Sequence, residues 1–393
     1  MKDIIKIFCI LFLLGHTLLA QLSSNLELSS SYDDNVFRSI EPTEDFISDL
    51  SLDLSYRFRD SNLQIFYNGN YIFFRNLKER NLSLHQLGLS HFISFGRENL
   101  HTFFFGVNGL SRIDGEEYRE YDYNQLYAYA NLRFDLESLF IKTGYNFRYR
   151  DYINFSELNN LRHYIFIQAN KSFATRTTMI LEADFGYKAF TTPIYFTTLQ
   201  QNAHDGGGNG PGSGISMGSS FPVTVSTSVP PMGQIIFLGR IAQSIFDKMG
   251  MYLQYRRQIN LSDQVTSITG NNFYQDEELF DDPFSYEGQE ISTQLTWLMP
   301  WSMRLQFGGS LFDKSYINDL AYTSIDDSVG SGGQRIDKQK NLFINIKKTF
   351  YIKKNWFEAL QLNFYYGYTN NESNSIWYNY TNRVFGGGIQ WSF

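Results

Sequence analysis

The ten residues 384–393 of this 393-residue chain alternate between two kinds of side chain. Because successive side chains on a β-strand point to opposite faces, one face of this segment is apolar or aromatic. The members of that face are Phe385, Gly387, Ile389, Trp391 and Phe393. The other face, from Val384 to Ser392, is mostly small and polar. The pattern predicts a strand that separates an apolar medium from a polar one, with an aromatic residue at its end.

The same two-residue period recurs in segments 46–58, 301–314 and 355–368. In 46–58, for example, apolar residues alternate with a polar set that includes Asp49 and Asp53. A lipid-facing arginine near the middle of a bilayer costs about 2–4 kcal/mol, so charged residues are expected on a wet inner face.

Two segments fit the period less well. In 81–95 the phase is blurred because His85 and His91 stand among the leucines. In 337–351 Lys347 and Lys348 are adjacent, so one of them must face outward or lie at a rim, where a long side chain can reach water.

Composition separates the two ways of crossing a membrane. Beyond residue 20 no run of about 20 apolar residues occurs, which excludes helical spans. Yet the chain contains 27 Tyr and 36 Phe, and its mean hydropathy is negative. Many aromatic residues in a hydrophilic chain indicate a barrel with a polar lumen and aromatic girdles at its rims.

The first twenty residues are typical of a secretory signal peptide. Lys2 and Lys6 precede the apolar run 7–14, and Ala20 offers a cleavage point. We therefore expect a signal peptide at 1–20 and one outer-membrane barrel domain at 21–393. The mature chain would lack cysteine, because Cys9 is the only one, and would carry 31 basic against 39 acidic residues. That balance does not favour a nucleic-acid partner.

About sixteen strands can be assigned, with connections that alternate between short and long. The predicted strands are 24–34, 46–58, 62–74, 81–95, 99–111, 122–136, 138–150, 159–173, 176–190, 233–246, 249–261, 287–299, 301–314, 337–351, 355–368 and 381–393. Short turns at one end and long loops at the other predict an all-β, single transmembrane antiparallel barrel with periplasmic turns and extracellular loops. Sixteen strands enclose a lumen wide enough for water.

Charged residues at inward positions are the candidate pore lining. The set is Arg57, Arg133, Lys142, Arg148, Arg240, Arg256, Arg304, Lys347, Glu182, Asp184 and Glu290. A lumen lined by both signs selects solutes by charge and size, and the basic excess favours anions weakly. The alternative is that these charges pair with one another and fill a narrowed lumen.

The long loops offer further candidates. Loop 191–232 contains a glycine run that begins His204, Asp205, Gly206, Gly207 and Gly208, without the lysine that a phosphate-binding loop requires. It is either mobile, as its glycine content favours, or folded inward as a gate. The carboxylates of loop 262–286, including Asp281 and Asp282, either stay solvated or hold Ca²⁺ or Mg²⁺; no defined calcium-loop spacing occurs, so no metal site is predicted.

The sequence offers little support for an enzyme activity. Five histidines follow residue 20, namely His85, His91, His101, His163 and His204, and none lies in a signature with a serine or with two further metal ligands. We expect no enzyme activity and no cofactor; an outer-membrane lipase is the weakest alternative.

The string Tyr32-Asp33-Asp34-Asn35-Val36-Phe37-Arg38 resembles the opening strand and loop of the type 2 β-barrel porin group associated with exopolysaccharide gene clusters. An Asx-rich turn at the end of a strand is the simpler interpretation of the same residues. The final strand resembles the C-terminal strand by which bacterial outer-membrane barrels are recognised for assembly. That resemblance implies Trp391 and Phe393 as the assembly signal and the barrel assembly machinery as a partner.

The resulting hypothesis is a porin-like channel in the bacterial outer membrane through which small hydrophilic solutes diffuse. The family resemblance implies a link to polysaccharide export. Membrane lipid and lipopolysaccharide are the other expected partners. The alternative is a non-conducting barrel that acts as a surface adhesin or anchor through aromatic loop residues such as Tyr274, Tyr316 and Trp377.

Overall fold

Sixteen antiparallel strands close into a barrel, and the last strand of the chain pairs with the first. The computed structural model describes residues 22–59, 61–192, 194–201, 220–227, 230–262, 281–354 and 357–393. Consecutive barrel strands are neighbours throughout the ring, so no connection crosses another strand. The fold class predicted from the two-residue period is therefore confirmed, including the number of strands in the barrel.

The strands are numbered in chain order. They are β1 (Leu22–Asp33), β2 (Asp45–Arg57), β3 (Gln64–Phe74), β4 (Leu82–Phe95), β5 (His101–Asp114), β6 (Tyr123–Leu136), β7 (Leu139–Tyr152), β8 (Asn160–Ser172), β9 (Thr177–Phe190), β10 (Ile194–Gln201), β11 (Ser220–Thr227), β12 (Met232–Phe246), β13 (Met249–Asn260), β14 (Tyr286–Met299), β15 (Met303–Leu320), β16 (Gln334–Lys354), β17 (Phe357–Ser373) and β18 (Tyr380–Ser392). β10 and β11 form a separate two-stranded sheet, and the other sixteen strands form the barrel.

Two features differ from the sequence-based expectation. The segment treated as one loop, 191–232, contains the β10–β11 hairpin. Strands β15, β16 and β17 also continue beyond their predicted loop-side ends, to Leu320, from Gln334 and to Ser373. Their extensions are rich in Asp, Asn and Lys, which weakens a strand signal based on apolar alternation, although cross-strand pairing continues there.

The connections are short at one end of the barrel. Turns at that end use left-handed backbone angles on residues with side chains, as at Glu137 (φ 60°), Arg176 (φ 61°) and Trp301 (φ 61°). Positive φ at turn residues matches the twist of tight hairpins. Short turns face the periplasm in barrels of this kind, and the long loops face outside.

The two barrel faces follow from alternation and exposure. Large apolar side chains with much exposed surface fall on one phase of each strand, for example Leu28, Leu87, Ile167, Phe237 and Leu342. This phase is the outer, lipid-facing belt. On β18 it contains Phe385 and Ile389, as the sequence pattern predicts.

The poorly fitting segment 81–95 has a clean phase in the structure. His85 and His91 lie on the same face of β4 as exposed Leu87 and Leu89, so both histidines face outward. Lys347 and Lys348 lie on opposite faces of β16, and Lys348 donates to the carbonyl of Trp301 in a short-side turn.

Helical structure is limited to short 3₁₀ turns. They are Lys78–Arg80, Arg97–Asn99, Glu116–Tyr121, Ser156–Leu158, Pro283–Ser285 and Ile376–Tyr378. Within the described ranges, no helix is both long enough and apolar enough to span a membrane.

Candidate pore

The predicted pore-lining residues share the inward phase of the barrel. Strand alternation, anchored on the exposed outer side chains, places all of them there: Arg57, Arg133, Lys142, Arg148, Arg240, Arg256, Arg304, Lys347, Glu182, Asp184 and Glu290. They do not gather at one point, because they come from nine strands around the wall. Their role in solute passage stays a prediction.

Polar side chains bridge neighbouring strands on this inner face. Arg240 on β12 donates to Gln254 on β13, with Nε 2.8 Å from Oε1. Arg256 donates to Gln258 at 3.0 Å and lies directly opposite Glu290 of β14 in the register. These contacts hold the side chains along the wall. Both hydrogen bonds join a guanidinium to a neutral amide, so they do not pair inward charges with one another.

One sector of the wall is acidic. Asp49 and Asp53 lie on β2, and Glu27 lies on the inner face of β1. Asn70 donates to Asp49 at 2.9 Å. β12, which carries Arg240, is the eighth neighbour of β2 around the sixteen-strand ring, so it forms the opposite wall. Arg240 therefore faces the acidic sector across the lumen, while Glu182 and Asp184 on the neighbouring β9 add negative charge to the same side.

Aromatic rings on the inner face lie beside glycines of the neighbouring strands. A side chain at Gly88 would bring its Cβ within 2.8 Å of the Phe66 ring, and one at Gly144 within 2.6 Å of the Phe166 ring. The same relationship holds for three more inward pairs, Gly106 with Tyr129, Gly288 with Phe312 and Gly308 with Phe343. Because glycine leaves space, each ring lies against the wall instead of projecting into the lumen. Inward aromatic residues therefore do not by themselves fill the interior.

Burial is concentrated at the loop end of the lumen. Three clusters of buried apolar residues lie there, centred on Ile72, on Tyr123 and on Phe284. Towards the turn end, inward Asp53 and Arg57 are exposed, and the Arg133 side chain is 42% exposed. The lumen is thus open to solvent on the periplasmic side and packed at its outer mouth.

Residues 281–285 form part of this packing, and we call them the mouth latch. Asp281 forms an ion pair with Lys314 and accepts a hydrogen bond from the Tyr316 hydroxyl at 2.7 Å. Asp282 pairs with Lys188. Lys188, Lys314 and Tyr316 all lie on inward positions of β9 and β15, so the latch is held inside the rim.

Phe284 fixes the middle of the mouth latch. Its side chain is fully buried, and its ring lies 3.1 Å from where a Cβ at Gly186 would stand. The guanidinium of Arg162 lies 5.4 Å from the ring centroid. The backbone carbonyl of Phe284 accepts a hydrogen bond from the side-chain amide of Asn260 at 2.5 Å. The latch therefore contacts inward residues of β8, β9, β13 and β15 at once.

A buried cation supports the far side of the mouth latch. Arg335 donates to Asp337 at 2.5 Å and to the Tyr316 hydroxyl at 3.1 Å, and it stacks over the Tyr378 ring at 3.2 Å. Burial alone would raise the pKa of Asp281, but the positive charge of Lys314 and the hydrogen bonds from Lys314 and Tyr316 lower it below its ordinary value.

Two carboxylates of loop 262–286, Asp281 and Asp282, therefore differ from the solvated alternative that the sequence offered. Asp281 and Asp282 are paired with lysines, and no group of three metal-ligating side chains occurs among the described residues. The partners Lys188 and Lys314 were missed because they lie on β9 and β15, far from these carboxylates in the chain, so no local pattern reports the pairing.

The remaining candidates fall into two groups. His204, Asp205, Gly206, Gly207 and Gly208 lie outside the described residues. Trp391 lies on the outward phase of β18, and the Phe393 amide donates to the Ser24 carbonyl at 2.9 Å, so pairing with β1 continues to that residue.

The described histidines are not arranged for catalysis. The Tyr67 hydroxyl lies 2.9 Å from Nδ1 of His85, and the Tyr145 hydroxyl lies 2.6 Å from Nδ1 of His163. Nδ1 of His101 accepts from the backbone amide of Asp135. Tyrosine and backbone partners, on the outward phase of the barrel, account for these side chains without a nucleophile.

The string 32–38 forms a turn that joins the two ends of the barrel sheet. Asp33 accepts from the Asn35 amide at 2.9 Å, as in an Asx turn. Asn35 donates to the Thr381 carbonyl at 3.1 Å, and the Arg383 amide donates to Asp34 at 2.6 Å. The string therefore has the geometry of an Asx turn, and it also joins β1 to β18.

No protein-family model and no curated protein matches this sequence. Several solved outer-membrane barrels are similar. OpdK of Pseudomonas aeruginosa is 9% identical over 95% of this chain and 100% of that chain, with a TM-score of 0.48. OmpTΔL8, a loop-deletion mutant of the Vibrio cholerae outer membrane protein OmpT, is 12% identical over 95% and 98%, with a TM-score of 0.41. CdiB of Acinetobacter baumannii is 12% identical over 94% and 60%, with a TM-score of 0.47.

At these identities and TM-scores the likeness carries no information about solutes or partners. The class of protein follows from the barrel itself. A closed antiparallel ring, an apolar outer belt and a charged inner wall define a bacterial outer-membrane β-barrel protein, located in that membrane.

Proposed function

We propose that this barrel is a porin-like channel that lets small hydrophilic solutes diffuse across the outer membrane. The observation that carries the proposal is the inner wall. Towards the periplasmic end it presents charged side chains to solvent, and five of its aromatic rings lie beside glycines of neighbouring strands. A polar, wet lumen through an apolar belt is the physical requirement for passive conduction.

Selection would arise from two elements. The acidic sector at Glu27, Asp49 and Asp53 and the opposed Arg240 on β12 orient dipolar solutes as they pass. The mouth latch narrows the outer end, so it sets the size limit and supplies a part that can move. No step of this mechanism uses a nucleophile or a cofactor, and we propose that the barrel is not an enzyme.

The packed outer mouth favours one second candidate, a barrel that stays closed and serves as an anchor or adhesin. It differs from the channel in a single measurable property, which is conductance. A link to exopolysaccharide export rests only on the resemblance of residues 32–38, and it is proposed as the setting in which such a channel would work.

The test is single-channel recording of refolded 21–393 in a planar bilayer, with ion selectivity from reversal potentials. Discrete conductance steps with a preference for anions support the channel. Folding is checked independently by the shift in gel mobility on heating. A folded barrel that conducts neither as it is nor after removal of the Asp281–Lys314 and Asp282–Lys188 ion pairs would establish the closed anchor instead.

A further inference from the structure

A cavity of about 260 Å³ opens on the inner wall of β1, β2 and β3, near the turn end of the barrel. Asn25, Asp53 and Asn68 are directly opposed across the three strands, so their side chains share this face. The lumen is open to solvent at this end, and a solute therefore reaches the cavity from the periplasmic side without passing the mouth latch. The polar side chains that line the cavity are Ser23, Asn25, Asp53, Ser55, Gln64 and Asn68.

Several of these polar groups are not used by the protein itself. Within the described ranges, the side chains of Asn25 and Gln64 make no hydrogen bond to another residue. The Asn68 carboxamide lies 3.0 Å from Oε1 of Gln86 and 3.2 Å from Oδ1 of Asp53, and its amino group can face only one of these acceptors. Amides and hydroxyls both donate and accept, as the hydroxyl groups of a solute do. The cavity therefore offers free hydrogen-bonding groups of the type that binds hydroxyls.

Phe66 supplies an aromatic surface to the same cavity. It lies directly opposite Ser55 on one side and Gly88 on the other. A Cβ at Gly88 would stand 2.8 Å from Cε1 of the ring, so the glycine is what allows the ring to lie along the wall. The cavity thus combines a flat apolar ring with polar groups beside it. A solute that fits both has an apolar face and hydroxyl groups at its edge.

The charges around the cavity nearly balance. Asp53 is the one charged side chain among its described lining residues. Glu27 and Asp49 lie on the inward faces of β1 and β2, Arg57 lies inward on β2, and Lys347 of β16 interacts electrostatically with Glu27. Three carboxylates and two cations produce no strong field of one sign, so the surroundings favour an uncharged solute over an ion. Asp53 can accept hydrogen bonds from two hydroxyls of such a solute.

We propose that this cavity, the β1–β3 cavity, binds one ring of an uncharged saccharide. The inference deepens the channel proposed above and rests on it only for its role in transport. Ligand sites are concave, with a few convergent polar groups that fix orientation beside an apolar surface. The Phe66 ring is a rigid surface against which the C–H face of a sugar ring packs, while the amides and Asp53 bind its hydroxyls.

Matched probes separate the components of the recognition. Maltotriose and cellotriose have neutral rings, sorbitol has hydroxyls without a ring, and trigalacturonate has rings with acids. In calorimetric titrations of the folded 21–393 barrel in detergent, we expect at least one neutral trisaccharide to bind about tenfold more tightly than sorbitol and trigalacturonate. Equal binding of sorbitol would show that the ring surface is not used, and equal binding of trigalacturonate would show that the solute need not be uncharged. Either result, or binding of neither neutral trisaccharide, overturns the proposal.

Variants locate the site. Phe66→Leu and Gln64→Ala should each weaken binding of the neutral trisaccharide, the first by about tenfold. The matched controls are Phe343→Leu, which changes an inward ring beside Gly308, and Gln306→Ala, which removes an inward amide of β15. Both controls should bind as the unmodified barrel does, with folding checked for every variant by the shift in gel mobility on heating. Equal losses in variants and controls, or no loss in Phe66→Leu, would show that the β1–β3 cavity is not the site.

A second measurement keeps this inference separate from the channel function. Calorimetric titration requires no conduction, whereas planar-bilayer recording requires an open lumen. The trisaccharide that binds should interrupt the current of the 21–393 channel, and Phe66→Leu should shorten the interruptions. Binding without any current would refute the passive channel and retain the cavity. Discrete conductance steps without calorimetric binding of either neutral trisaccharide would refute the cavity and retain the channel.

Discussion

Asn382 donates a hydrogen bond to Asp33 at 2.5 Å, although the two residues lie 349 positions apart in the chain. Both are buried, one on the last strand and one on the first. Asn382 also donates to the Asn35 carbonyl at 3.2 Å, so one amide group joins the seam and the turn that follows β1. Closure of the ring is thus secured by side chains as well as by the backbone ladder at the outer rim.

Replacement of Asn382 by alanine should destabilise the barrel. It leaves the Asp33 carboxylate buried with one partner fewer, which costs about 1–3 kcal/mol. Unfolding by guanidinium chloride, followed by the heat-dependent shift in gel mobility, measures the loss. The neighbouring Thr381→Ala is the control, because its hydroxyl makes only an exposed bond to Asn370. Equal stability of the two variants would contradict a role for this amide in closure.

The two faces of β8 can be tested with one pair of variants. Ile167 is 55% exposed on the outer belt, and Gln168, the next residue, lies inward beside Glu182. Ile167→Arg should cost about 2–4 kcal/mol and reduce insertion, because it places a charge in lipid. Gln168→Arg should assemble normally, since the new cation meets water and Glu182. Recovery of folded protein from lipid vesicles measures both; equal yields would mean that the faces are misassigned.

The sequence was sufficient for the strand number, the connection asymmetry and, outside segment 81–95, the phase, because each depends on the local pattern and spacing of apolar residues. The outward phase of β18 and the inward position of Lys347 could be read directly from neighbouring residues. The mouth latch could not be found in this way. Its partners Lys188, Lys314 and Arg335 come from strands far apart in the chain, and no local period reports a contact of that kind.

The pairing of inward aromatic rings with glycines could not be predicted from local sequence patterns either. Phe66 and Gly88 are brought together only by the register of β3 on β4, and that register is a tertiary property. Without the register, an inward phenylalanine would be expected to project into the lumen. The glycine opposite it, once the register is known, indicates that the ring lies against the wall.

Neutralising Asp281 should loosen the mouth latch. Asp281→Asn removes the ion pair and leaves Lys314 buried without its partner, and breaking a buried pair in this way costs about 3–5 kcal/mol. We expect larger or more frequent conductance steps than in the unmodified barrel. Asp313→Asn is the matched control, because Asp313 lies one position before Lys314 on β15 and its carboxylate is on the exposed outer face. Identical traces for the unmodified protein and Asp281→Asn would exclude the latch as the constriction.

The pH dependence of the mouth latch has a defined sign. The pKa of Asp281 is below its ordinary value, so its contribution is complete above the ordinary pKa of an aspartate and is lost as the pH falls through the lowered value. Titration of Asp281 should therefore leave the conductance unchanged between about pH 5 and pH 8, the range where ordinary carboxylates are ionised. An opening transition in the unmodified barrel near pH 5 or 6, absent from Asp281→Asn, would contradict the assignment.

Adding one methyl group at Gly88 should narrow the channel. A Cβ there would stand 2.8 Å from Cε1 of the Phe66 ring, with Cζ nearer still, and 2.7 Å from the Asn108 Cβ, closer than real contacts allow, so the ring must swing into the lumen. Gly88→Ala should lower single-channel conductance while the barrel still assembles. Gly367→Ala is the control, because that inward glycine has only the Val384 carbonyl oxygen, 4.0 Å away, near its Cβ position. Unchanged conductance in Gly88→Ala would mean that the ring does not control the width of the lumen at this level.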